Sequence, residues 1–120
     1  MDISIIVPIY KGKKYINDIV NQVEKCVKKL DGQQVELLLV NDYPKDILEN
    51  QKSKLISIRV FNTDKNLGIH GARIKGIRFC EGKYILMLDQ DDRISDNYLK
   101  SQMKVISDGN ADAVICRARE

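Results

Sequence analysis

The chain has 120 residues, 43% hydrophobic and 31% charged, which suits one soluble domain with a real core and excludes a disordered or fibrous chain. A net charge of +3, with the basic residues scattered and few aromatic rings to stack on bases, argues against a nucleic-acid binder. Cys26, Cys80 and Cys116 are odd in number and far apart, so they suggest reduced thiols and a cytoplasmic location rather than a disulfide framework. Asp2 follows the first residue directly, with no signal peptide, and no stretch approaches the roughly 20 apolar residues of a membrane span. Work at the cytoplasmic face of a membrane stays compatible with that.

Ile3–Ile9 is a nearly continuous β-branched run, the mark of a strand buried on both faces, and Pro8 should end it. From Lys14 to about Leu30 apolar residues recur at three- and four-residue spacing, predicting an amphipathic helix that stops at Gly32. Val35–Val40 reads as a second strand, followed by a polar stretch, Lys45 to Lys54, with one or two helical turns around Asp46 to Gln51. Leu55–Phe61 reads as a third strand with one less buried face. A helix should begin near Leu67 or Gly68, its three glycines costing about 1 kcal/mol each against alanine and so implying close approach to a sheet or ligand. Tyr84–Leu88 is a fourth strand. Ser95 is a good N-cap for a helix ending near Gly109, and Ala113–Cys116 reads as a last strand. Strand and helix alternate throughout residues 1–120 with no linker, which predicts a single three-layer α/β/α unit with a mostly parallel sheet. The chain stops close to its fifth strand, so a truncated domain with an exposed edge, open to self-association, is expected.

In such a sheet ligands bind beyond the carboxyl ends of the strands, where strand order reverses. Polar residues gather at those ends: Tyr10 and Lys11 after strand one, Asn41 and Asp42 after strand two, Asp89, Asp91 and Asp92 after strand four. His70 and Arg73 fall on the first turns of the helix after strand three. Three carboxylates in four positions repel one another unless a cation sits among them. A hard divalent ion, shared with substrate phosphates, would meet that need. An acidic turn capping the next helix would explain them too. Asp42 could likewise cap its own turn, and His70 and Arg73 could be surface residues.

The order of motifs resembles glycosyltransferase family 2, inverting enzymes of GT-A fold, a Rossmann-like nucleotide-diphospho-sugar transferase fold. The stretches that carry it are Val7-Pro-Ile-Tyr-Lys11, Val40-Asn-Asp-Tyr-Pro-Lys-Asp46, Asn66-Leu-Gly-Ile-His-Gly-Ala-Arg-Ile-Lys-Gly76 and Gly82-Lys-Tyr-Ile-Leu-Met-Leu-Asp-Gln-Asp-Asp92. The resemblance implies that Pro8, Tyr10 and Asp42 wall the nucleotide base, Asp42 accepting a base N–H. It implies Arg73 on the diphosphate, Asp91 near the ribose or the metal, and Asp92 as ligand of Mn2+ or Mg2+ with Asp89 in support. The donor would be a nucleoside-diphosphate sugar, a UDP-sugar first, and the acceptor a glycan or lipid-linked acceptor, as in polysaccharide and cell-wall synthesis. Departures fall at Lys11, Asn41, Tyr43-Pro44, His70 and Ile74, and bear on the choice of donor. The general base and the acceptor-binding half would lie outside these residues, leaving no catalytic residue here and making this an N-terminal donor-binding part, inactive by itself. Two other readings are a nucleotidyltransferase or phosphohydrolase, for which Lys11-Gly-Lys-Lys14 is a faint basic loop and Arg93 an unfavourable residue, and a non-catalytic nucleotide-binding module.

Overall fold

Ile3–Ile9 and Val35–Asn41 are the stretches apolar on both sides, and they take the centre of the sheet as β1 and β2. β3 (Ser57–Asn62) flanks β2 and β4 (Tyr84–Met87) flanks β1, giving the order β3-β2-β1-β4 with every pair parallel. The computed structural model describes residues 1–109, 112 and 113; residues 114–116 of the strand expected at Ala113–Cys116 therefore lie outside the described residues.

Alternate residues of the central strands feed two cores. Ile3, Ile5, Val7 and Ile9, with Val35, Leu37 and Leu39, pack under α1 (Ile16–Val27) and α3 (Tyr98–Asp108). Ile6, Leu38 and Val40 face α2 (Gly68–Phe79) through Ala72. A Cβ on Gly76 would collide with Ile6 Cγ2, so this glycine lets α2 lie directly on β1. Three layers result, as alternating strand and helix dictate. No helix among the described residues is long and apolar enough to cross a membrane.

Three expectations need correction. The first helix opens with a 3₁₀ turn, Lys13–Tyr15, and its α-helical part ends at Val27, not near Leu30; Gly32 then turns the chain at a φ of 91°. No helical turn forms around Asp46–Gln51. Asn62 bonds both the N–H and the C=O of Leu48, at 2.9 and 3.0 Å, and Asn41 Nδ2 donates to Asp46 O, so these amides hold the loop backbone extended. Ser95 does not cap α3, which begins three residues later after Asn97; the Ser95 carbonyl accepts from Tyr98 N and from Cys26 Sγ.

Candidate functional site

Backbone pairing creates the crevice. Ile9 O accepts from Asp42 N at 2.8 Å, so the odd residues of β1 bond towards β2; Ile6 O accepts from Leu88 N at 3.0 Å, so the even ones bond towards β4. Pro8 is even. Its missing N–H thus falls on the β4 side, where the ladder stops while β1 and β2 remain paired to Ile9 and Asn41. The ends of β1 and β4 part there, at the reversal of strand order. Between them opens a crevice of about 400 Å³ lined by Pro8, Tyr10, Asp42, Asn66, Asp89 and Asp91, within the range of small-molecule sites.

Asp42 forms its floor and is only 4% exposed. Its Oδ1 accepts from Thr63 Oγ1 at 3.1 Å and from Leu67 N at 2.8 Å. Among the described residues nothing donates to Oδ2. One oxygen fixes the side chain and the other is left for a ligand. Tyr10 stands at the mouth, 44% exposed, with its ring edge-on to Tyr43 at 5.3 Å. The Lys11 ammonium lies 5.6 and 5.3 Å from the two ring centres, close enough for cation–π attraction. Lys11 itself takes a φ of 50° to turn the chain away from the strand.

On the opposite wall, Asp89–Asp92 is a tight turn. Asp92 N donates to Asp89 O at 3.0 Å and Asp89 N donates to Asp92 Oδ2 at 2.9 Å. Asp89 and Asp91 line the crevice, whereas the Asp92 carboxylate turns back onto its own loop. Arg73, from α2, reaches Asp89 Oδ1 with Nη2 at 3.2 Å, and its buried Nε has no partner among the described residues. The cation that three crowded acids call for is present in part as this guanidinium. His70 is exposed and takes no part in the crevice.

Sequence reasoning missed Thr63, which orients Asp42 and lies outside the motifs, and Gln90, which fills the unspecified spacer position between Asp89 and Asp91. In that reasoning Asn41 stood as a departure from the family pattern. Asn41 is instead 3% exposed and donates to Asp46 O and to Asn62 Oδ1, a task that needs an amide hydrogen and that no carboxylate could perform.

Among the described residues no three His, Cys, Asp or Glu side chains converge as a cage for a metal. Mg2+ and Mn2+ do not require one, since Mg2+-type sites use one or two carboxylates and complete their shell with water and substrate phosphates. Two crevice-facing acids beside a buried, unpartnered Arg73 Nε fit an ion shared with an oxyanion.

Residues 4–120 match the description glycosyl transferase family 2. The chain belongs to this family. A family relative, the poly(ribitol-phosphate) beta-N-acetylglucosaminyltransferase TarS of Staphylococcus aureus, is 28% identical over 124 residues, covering 99% of this chain and 21% of TarS. An uncharacterized glycosyltransferase of Haemophilus influenzae is 33% identical over 105 residues, covering 84% of this chain and 40% of that protein. The crystal structure of S. aureus TarS 1–349 in complex with UDP-GlcNAc superposes with a TM-score of 0.74 at 23% identity, over 93% of this chain and 33% of that one. At that identity the likeness establishes the fold, the parallel α/β sheet of the family. The chain thus spans between about a fifth and two fifths of these relatives' length.

Proposed function

We propose that this chain binds the donor of a sugar transfer, a nucleoside-diphosphate sugar with UDP as its nucleotide, for inverting transfer to a glycan or lipid-linked surface polymer. The observation that carries the reading is Asp42, buried at the floor of the switch-point crevice with Oδ1 tied down and Oδ2 unclaimed. A carboxylate oxygen there accepts the imide N–H of uracil, with Pro8 and Tyr10 as the walls of the base pocket. The name of the TarS complex, with UDP-GlcNAc, and that of TarS itself, acting on poly(ribitol-phosphate), favour the same class of donor and acceptor.

The diphosphate then lies towards the Asp89–Asp92 turn. Asp89 and Asp91 face it and would hold Mn2+ or Mg2+ together with the diphosphate oxygens, while Asp92 fixes the turn through Oδ2 and adds its charge nearby. Bound there, the ion supplies Lewis-acid neutralisation of the charge that grows on the leaving diphosphate. Arg73 adds a fixed positive charge on the same side, its Nε free to donate to a phosphate oxygen. Among the described residues every acid at the crevice serves the donor side, which leaves the deprotonation of the acceptor hydroxyl to a base from another segment. A phosphohydrolase lacks this logic, since it has no use for a base-reading carboxylate.

Calorimetric titration of the full-length protein with UDP, with and without Mn2+, tests this. Binding strengthened by Mn2+ is expected, with the Mn2+ gain reduced in Asp92→Asn, which keeps an acceptor for the Asp89 N–H but removes the charge. Phosphomonoester hydrolysis without any sugar transfer would overturn it.

A further inference from the structure

Gln90 closes the gap that Pro8 opens. Beyond Pro8 the next β1-side residue whose backbone points at the fourth strand is Tyr10, and no β4 backbone remains opposite it. The Gln90 carboxamide stands there instead: Tyr10 N donates to Gln90 Oε1 at 3.0 Å, and Gln90 Nε2 donates to Tyr10 O at 3.1 Å. One side chain reproduces the donor and acceptor of a strand neighbour. The sequence has made room for it, because a Cβ on Gly12 would collide with Gln90 Oε1 and sit 2.9 Å from its Cδ. Gly12 has an ordinary backbone (φ −114°), so the space, not the conformation, asks for glycine.

We infer that Gln90 is a positioning residue: its amide bridge to Tyr10 sets the span between the wall that reads the base and the acid turn that receives the diphosphate. The inference rests on the nucleotide reading above and adds to it a determinant of ligand length. Without the bridge the two walls lose this direct tie and are joined indirectly, through the start of α2, where Leu67 N bonds Asp42, and through Arg73, which reaches Asp89, and a ligand that must touch both pays for aligning them. A ligand that touches only the base wall does not.

The test compares UDP with uridine on the full-length protein and on Gln90→Met, Gly12→Ala and the double variant. Methionine keeps the length and removes both hydrogen bonds; Gly12→Ala displaces the end of a flexible side chain and leaves the fold intact. Because the two hydrogen bonds form without ligand, their loss lowers the melting temperature slightly, and the looser walls should cost each single variant up to about tenfold in UDP affinity while uridine affinity holds. The double variant should bind like either single one, because both remove the same bridge. Equal UDP affinity in wild type and variants, or a parallel loss for uridine, overturns the role of Gln90 and leaves the nucleotide reading standing. A wild-type protein that binds no UDP removes both.

Discussion

Asp42 carries two jobs on two oxygens. Oδ1 collects the Thr63 hydroxyl and the Leu67 N–H, which hold the loop after β3 and the start of α2 against β2. Oδ2 is the one left to read a base. Asp42→Asn separates these jobs, since the amide oxygen can keep both structural bonds while an N–H₂ replaces the open acceptor. Loss of a charged acceptor is worth about ten- to a hundredfold in affinity, so UDP should bind that much more weakly in Asp42→Asn at unchanged melting temperature. CDP should suffer less, because the cytosine ring nitrogen accepts where that of uracil donates. Competition between the two nucleotides checks it: an unchanged UDP-to-CDP preference would take Asp42 away from the base.

The elements are held in register by a second buried acid, far from the crevice. Glu36 in β2 is 1% exposed and gathers Ser4 Oγ at 2.6 Å, Glu81 N at 2.6 Å and Arg59 Nη2 at 2.8 Å. β1, β2, β3 and the loop entering β4 all meet at this carboxylate. Burial pushes its pKa up, but the hydrogen bonds from Ser4, Glu81 and Arg59 and the Arg59 charge outweigh that and leave it below the ordinary glutamate value. A lowered folded pKa gives stability that is present above the unfolded pKa and is lost as pH falls through the folded one. Glu36→Gln should therefore cost about 2 kcal/mol at neutral pH, below the usual range for breaking a buried pair because Arg59 is partly exposed. Its penalty should shrink in acid below the glutamate range, and melting curves from pH 7 downward check the sign; a constant penalty would contradict it. Register of this kind was half legible in the sequence. The apolar runs at Ile3 and Val35 announced the central strands and Pro8 the end of the first, because burial and a missing donor act locally. The extended loop at Leu48 and the late start of α3 were not legible, because they depend on Asn62 and Cys26, which are remote in the chain.

At the scale of the whole molecule, the crevice competes with a second hollow of about 360 Å³ between β4 and α3. That hollow is lined mostly by apolar side chains such as Leu86, Leu99 and Ile106, with no set of converging acids among the described residues, and it lies beside β4, where Ile85 is 47% exposed. The switch-point crevice instead joins residues from four separate segments: Tyr10 after β1, Asp42 after β2, Asn66 before α2 and the acids after β4. The sequence placed Asp42, Asp89 and Asp91 at strand ends, and parallel topology then brought those ends to one rim. It could not reveal that Asp92 folds back or that Gln90 spans the gap, since both are side-chain choices within a turn. The central claim is that these loops together hold a nucleoside diphosphate and a divalent ion. A crystal structure of the full-length protein with UDP and Mn2+ tests it most directly. Uracil is expected against Asp42 and anomalous manganese density beside Asp89–Asp92; nucleotide in the hollow by α3, or manganese away from that turn, would contradict the claim.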